Sequence, residues 1–322
     1  MSDTLKKVMV QSQSLIALLI MIIALSLLSD KFMTMDNTWN VMRQISVNVC
    51  ISVGMTLVIL TGGIDLSVGS VLALSGAVAA GLLNNGIEIP ALNIFIGFTF
   101  LGAVIAGLGT GALMGFINGL SITVFKVPPF VATLAMLTMA RGLTMLWTGG
   151  FPITGLGTTF NFLGTGWFLG VPMPVWITAV VVLLMVIMTK KVRIGRYIYA
   201  VGGNENASRL SGLNVNKVKL FVYTMAGILS AVGGLIVASR LDSAQPNAGM
   251  GFELDSIAAV VIGGTSLSGG RGSILGTVQG ALIIGVLNNG LVLLNVSPFW
   301  QQVIKGFVIL VAVVIDKMSD KE

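Results

Sequence analysis

The sequence predicts an all-α integral membrane protein of about ten transmembrane helices, with a parallel internal repeat and helices that are glycine-broken or re-entrant. Three observations predict this class. Hydrophobic residues make up 55% of the 322 residues and charged residues 9%, with a mean hydropathy of +0.97. A soluble domain carries about 25% charged residues, so a soluble chain of this composition would have little surface to present to water. Apolar runs recur along the whole sequence, separated by short polar stretches. The basic residues gather in a few of those stretches, above all Lys190–Lys219, which holds seven of the 18: Lys190, Lys191, Arg193, Arg196, Arg209, Lys217 and Lys219.

Taken in order, the spans are expected over Leu15–Ser29, Asn40–Leu60, the Ala/Gly/Leu stretch that ends at Asn84-Asn85-Gly86, and Ala91–Thr123. The fourth is too long for one straight crossing at about 1.5 Å per residue, so it tilts, breaks at its glycines or projects. Spans follow over Val131–Trp147, Pro174–Thr189, Leu220–Ser239, a short glycine-broken Ile257–Gly264, Ile274–Leu294 and Phe299–Ile315. The uncharged Gly149–Val171 loop, rich in Gly, Thr, Phe and Trp, suits an outer interface. Glycine-rich Gly102–Gly119 suits close helix packing or small sliding movements.

Short loops rich in Lys and Arg remain cytoplasmic. With the N-terminus inside and the first span retained, Lys6, Lys7, Lys126, the seven central cations, Arg271, Lys317 and Lys321 all fall inside. Lys31 and Arg240 fall outside, and Arg43, Arg141 and Lys305 lie within spans toward their outer ends. The expected organisation is one polytopic transmembrane domain over 1–322 with cytoplasmic termini and a central cytoplasmic loop at 190–219. The net charge of +6 is then positive-inside bias, and nucleic acid is not an expected partner.

The chain has no histidine, which excludes Ser-His catalysis, HExxH chemistry and His-ligated metals. The single cysteine, Cys50, excludes an internal disulfide. No GxxxxGK[ST] stretch occurs, so the chain carries no P-loop of its own.

TGGIDLSVGSVLALSGAVAAGLLNNG (Thr61–Gly86) matches IGGTSLSGGRGSILGTVQGALIIGVLNNG (Ile262–Gly290) in Gly-Gly, Leu-Ser, a small-residue span and Asn-Asn-Gly. Both copies run the same way, and duplicated halves are common in transporters. Asp65 lies in the first copy where the second has Ser266. An acid near the membrane is a functional candidate; Asp65 or Ser67 can equally cap the following helix, and Asp255 can cap the eighth span. In the central loop, Asn204 is placed to N-cap a short NENASRL helix that Gly212 ends in the left-handed conformation. That helix is expected to lie across the cytoplasmic face.

Three long stretches, GMTLVILTGGIDLSVGS (Gly54–Ser70), IGRYIYAVGGNENASRLSGLNVNKVK (Ile194–Lys219) and SAQPNAGMGFELDSIAAVVIGGTSLSGGRGS (Ser243–Ser273), make the sequence resemble the permease subunits of bacterial ABC importers for ribose and related sugars. The likeness covers nearly the whole chain. It implies a non-enzymatic subunit in the inner membrane, paired with a second permease copy and surrounded by lipid. A cytoplasmic ABC ATPase binds the ATP, the permease takes no cofactor, and a periplasmic sugar-binding protein delivers a monosaccharide. It also implies an ATPase-coupling segment over Gly203, Asn204, Glu205, Asn206, Ala207, Ser208, Arg209, Leu210 and Gly212. Here Glu-Asn-Ala stands where many relatives have Glu-Ala-Ala.

On that reading Gln44, Asn48, Asp65, Asn118, Thr138 and Gln279 are candidates for the substrate pathway, since polar groups in spans prefer the protein interior. Arg240 and Asp242 are candidates for docking the binding protein. The alternatives are an ABC permease for an amino acid or an autoinducer, and an ion-coupled secondary transporter, which would normally need more intramembrane charge. An aspartyl protease using Asp65 and Asp255 would need both acids on one side of the membrane.

Overall fold

The computed structural model describes residues 3–89 and 94–319, with side chains over 15–88 and 94–314. The side chains of Lys6, Lys7, Lys317 and Lys321, and the expected start of the fourth span at Ala91, lie outside the described residues.

Among the described residues there are thirteen helices and three two-stranded sheets. The helices that follow the predicted spans are α1 (Asp3–Leu28), α2 (Met35–Leu60), α3 (Val68–Asn85), α4 (Phe100–Thr123), α5 (Pro129–Thr148), α7 (Met173–Lys191), α10 (Val215–Leu241), α11 (Phe252–Ile262), α12 (Ile274–Leu293) and α13 (Pro298–Ser319). Between them lie α6 (Thr158–Thr165), α8 (Arg193–Gly203) and α9 (Glu205–Leu210). Seven of these helices are long and apolar enough to cross a membrane, α2, α3, α4, α5, α7, α10 and α12, and shorter apolar stretches run over Leu15–Leu28 and Pro298–Val314. The architecture is all-α and membrane-spanning.

Side-chain caps set several starts. Thr34, Thr99, Asn214 and Ser273 accept amide hydrogens from the first turns of α2, α4, α10 and α12. Pro129 opens α5, and Gly149, left-handed at φ 64°, closes it.

The expected fourth span is shorter than its apolar run. Strands β1 (Ile87–Ile89) and β2 (Ile94–Ile96) pair antiparallel before α4 begins. The β-branched residues of both strands favour extended backbone, so α4 is preceded by an antiparallel strand pair.

The chain divides into two compact units. One comprises Ile64–Val180 and Asn214–Glu253. Its centre is the crossing of α4 and α10. A Cβ on Gly111 would overlap the carbonyl oxygen of Gly227, and one on Gly115 that of Tyr223. Gly119 extends this close approach to the main chain of Leu220, while Gly107 meets the Leu235 side chain and Ser75 O of α3. The opposite face of α4 exposes Leu101, Ile105, Leu113 and Phe116, as a lipid-facing surface should. α6 is tied to the end of α10 by Ser239, whose Oγ donates to Phe160 O at 2.7 Å and accepts from Gly164 N at 2.6 Å. Strands β3 (Ile153–Thr154) and β6 (Ser243–Ala244) pair beside it, and β4 (Trp167–Phe168) pairs with β5 (Val171–Pro172).

The other unit comprises Met1–Gly63, Val181–Leu213 and Leu254–Glu322. Here α2 packs on α12, with Thr56 Oγ1 2.6 Å from Thr277 Oγ1 and reciprocal amide bonds between Asn37 and Asn289 at 3.1 and 2.8 Å. α11 meets α12 through Gly263, Gly276 and Gly280.

The repeat is visible in how α2 and α11 end. Gly62 N bonds Ile59 O at 2.8 Å and Gly63 N bonds Val58 O at 3.1 Å; Gly264 N bonds Val261 O at 2.9 Å and Thr265 N bonds Val260 O at 3.1 Å. The left-handed residues are Gly62 (φ 76°) and Gly264 (φ 81°). Sequence alignment pairs Gly62 with Gly263, one residue out of step, because two adjacent glycines leave either free to take the turn. The copies then diverge. α3 starts directly after Ser67, whereas five residues of loop separate Ser268 from α12. Asn84-Asn85-Gly86 ends α3, whereas Asn288, Asn289 and Gly290 stay inside α12.

The α4–α10 crossing leads to a direct test. Gly111→Leu should cost about 1–3 kcal/mol or more through overpacking, read as a lower yield and melting temperature of detergent-extracted permease. Gly109→Leu on the exposed face, where nothing lies within 4 Å, should change neither.

Candidate functional site

The polar segment after α7 folds into two helices separated by Asn204 alone. α8 is amphipathic: Arg193 and Arg196 are exposed, while Gly195, Ile198 and Val201 are buried. This helix was not anticipated; the Ile194, Ile198 and Val201 spacing was its signal in the sequence. Tyr199 Oη donates to Gly272 O at 3.0 Å, and burial raises the phenol's pKa above its ordinary value, so the group remains a donor.

α9 has the capping that the sequence predicts. Asn204 Oδ1 accepts from Ala207 N at 2.9 Å. Gly212 takes φ 83°, with Gly212 N bonded to Arg209 O and Leu213 N to Ser208 O, each at 3.1 Å. Glu205 and Arg209 form an exposed i,i+4 ion pair at 3.0 Å, which adds only about 0.3–0.5 kcal/mol. The caps therefore hold the helix, and the ion pair is dispensable for its shape. Ser208 faces inward and is buried, Asn206 and Ala207 are exposed, Gly203 ends α8, and Leu210 is 90% exposed.

Of the six pathway candidates, the structure joins two. Asp65 Oδ1 accepts from Ser67 N at 2.8 Å and Ser67 Oγ at 2.6 Å, and Asn118 Nδ2 donates to Ser67 Oγ at 3.0 Å. Asp65, Ser67 and Asn118 are all buried. Neither Asp65 nor Ser67 caps α3 in the expected way, since the carboxylate takes the amide of Ser67 itself and Ser67 makes no side-chain cap bond. Tyr223, fully buried on α10, was missed as a polar group, because one tyrosine in an apolar run reads as packing. Its hydroxyl finds no partner among the described residues. Asn48 is buried on α2, Gln44 and Gln279 are half-buried, and Thr138 is exposed with its hydroxyl bonded to Ala135 O at 2.8 Å.

Asp242 follows α10 in the left-handed conformation (φ 47°), and its Oδ1 accepts from Leu156 N and Asn161 Nδ2, both at 2.8 Å. Arg240 is half-buried in the last turn of α10. Arg141 Nη1 holds the following loop through Pro246 O at 2.6 Å and Ala248 O at 2.9 Å.

Asp255 does not cap its helix. α11 begins at Phe252, which places Asp255 inside it, bonded to Lys305 Nζ at 3.0 Å and to Asn288 Nδ2 at 3.3 Å. The pair is 50 residues apart, beyond the reach of local sequence patterns.

Seven helices long and apolar enough to cross a membrane, with buried polar ties between side chains in their interior, define an integral membrane protein. Residues 37–313 match the family described as branched-chain amino acid transport system / permease component. The chain is 52% identical to the ribose import permease of Escherichia coli K12 over 96% of its own length and 94% of that protein's. It is 51% identical to the Bacillus subtilis 168 ribose import permease over 94% and 91%, and 39% identical to the D-allose transport system permease of E. coli K12 over 92% and 88%. No solved structure matches the chain. The chain belongs to this family of permease components and is a multi-pass permease, a transport subunit and not an enzyme.

Two sets of variants test the polar ties. Lys305→Met should lower stability by about 3 kcal/mol by leaving Asp255 buried without its partner, while Lys305→Met/Asp255→Leu should recover most of the loss. Asp65→Asn should keep the melting temperature, because an amide oxygen still accepts from Ser67. Asp65→Leu should lower it, at about 1–3 kcal/mol for each orphaned donor. Thermal unfolding in detergent reads both.

Proposed function

We propose that this chain forms the translocation pathway for ribose or a closely related monosaccharide across a bacterial inner membrane. It would act as one of two identical permease copies with cytoplasmic termini. A cytoplasmic ATPase would bind the ATP, a periplasmic sugar-binding protein would deliver the sugar, and the permease itself would take no cofactor. The observation that carries the sugar assignment is the identity above 50% over nearly the full chain to ribose import permeases of E. coli and B. subtilis. The description of the family names amino acids, but the full-length matches to ribose and D-allose permeases favour a carbohydrate.

Residues 203–212 are proposed as the contact with the ATPase. Two features support this. α9 keeps its shape through its own caps, so it can be pushed as a rigid peg, and Leu210 offers an uncovered apolar side chain on a basic surface. Closure of the ATPase dimer on ATP would draw the two pegs together and tilt the spans around the pathway. Asp65, Asn118, Asn48, Gln44, Thr138 and Gln279 are proposed to supply weak polar partners to sugar hydroxyls, with the binding protein providing the affinity. Arg240 and Asp242 are proposed at the docking face for that protein, Asp242 by tying the loop at Leu156 and helix α6 at Asn161.

Ribose uptake is to be measured in cells lacking their own permease and supplied with this chain, its ATPase and its binding protein. Glu205→Ala/Arg209→Ala and Leu210→Asp should each release the ATPase and lower uptake by about tenfold or more, the scale of a lost coupling contact. The permease should remain at its normal level in the membrane. Undiminished uptake with the ATPase still bound would remove α9 from its proposed role. Uptake without any ATPase would remove the ATP-driven reading, and transport of D-allose or an amino acid in preference to ribose would redefine the substrate.

A further inference from the structure

The end of α8 touches the two glycine turns that open the repeated segments. A Cβ on Gly202 would overlap the carbonyl oxygen of Leu60, the last residue of α2, and would lie 2.6 Å from Gly270 N. Leu60 O itself accepts a hydrogen bond from Gly270 N at 3.0 Å. A Cβ on Gly269 would lie 3.0 Å from Gly202 O and 3.1 Å from Gly62 N. Tyr199, one turn earlier on α8, bonds Gly272 O at 3.0 Å. Three stretches of main chain therefore meet with no side chain between them, and a phenol fastens a second point.

Each contacted turn leads directly into a repeated helix. Gly62 and Gly63 run into Ile64, Asp65 and then α3, and Gly270 runs through Arg271 and Gly272 to α12. At its other end α8 is separated from α9 by a single residue, Asn204.

We propose that the C-terminal end of α8, through Gly202 and Tyr199, is the positioning element that carries movement of α9 to the roots of α3 and α12 together. The physical basis is the absence of slack. Direct backbone contact transmits a displacement that side chains would absorb by changing rotamer, and packed glycine contacts shift as a unit. Leu60 O, shared between the Gly270 amide and the Gly202 contact, links both turns to one lever. The proposal rests on α9 being the point where the ATPase acts.

The test uses the complete importer, permease with ATPase and binding protein, in proteoliposomes. Three quantities are read: ATPase retained on the purified permease, ATP hydrolysis with and without sugar-loaded binding protein, and sugar taken up per ATP hydrolysed. Gly202→Ala should retain the ATPase and the basal hydrolysis but lower uptake per ATP by about tenfold, within the range of coupling free energies. Tyr199→Phe, which removes a single hydrogen bond and should fold normally, should lower the same ratio by about fivefold. Gly109→Ala, on an exposed helix face with open space around it, should leave the ratio unchanged.

Hydrogen exchange supplies a second readout. Nucleotide-dependent protection over residues 60–67 and 266–273 should disappear in both joint variants. An unchanged uptake per ATP in Tyr199→Phe and in any folded Gly202→Ala would overturn the proposal. So would loss of the ATPase itself, which would place the defect in docking. Failure of the α9 assignment would show instead as ATPase retained and uptake undiminished in Glu205→Ala/Arg209→Ala, so the two failures are distinguishable.

Discussion

Where α4 crosses α10, Gly111 lies against the carbonyl of Gly227 and Gly115 against that of Tyr223. Within lipid, helices gain little from hiding apolar surface from one another, so association depends on close fit and on internal pairing of polar groups. The same device recurs where α11 meets α12 and where α8 meets the two glycine turns. At these crossings glycine lets two main chains approach, and on α4 the larger Leu101, Ile105, Leu113 and Phe116 stand on the opposite, exposed face.

This arrangement separates the regions that hold from those that present. The polar groups of Asp65, Ser67 and Asn118 serve one another in the interior, and Thr56 and Thr277 do the same between α2 and α12. Around α9 the polarity is turned outward instead. Its caps close on its own backbone, its ion pair is exposed, and Leu210 is left uncovered. Only Ser208 of this helix is buried against the body, and Asn206, Ala207, Arg209 and Leu210 are presented outward.

Much of this was legible in the sequence because the signals are local. Ten apolar runs mark the spans, Asn204 and Gly212 bracket a helix of the expected length, and Gly-Gly marks both turns of the repeat. What was not legible depends on distant partners or on competing local preferences. The β-branched residues before Phe100 form paired strands instead of extending α4. Asn-Asn-Gly ends one helix and continues inside the other, according to whether the left-handed residue is taken there. Asp255 at the start of an apolar run resembles a cap, and only Lys305, far along the chain, reveals it as half of an ion pair.

That ion pair bears on how the protein enters the membrane. α11 has eleven residues and carries an acid, whereas a span needs roughly 20 apolar residues and an aspartate at its centre costs about 2.5–3.5 kcal/mol. It is too short and too polar to partition into lipid by itself. Its lysine emerges from the ribosome 50 residues later, on α13. The place of α11 in the bilayer thus depends on α12, which packs against it, and on α13, which carries the cation that pairs with its acid.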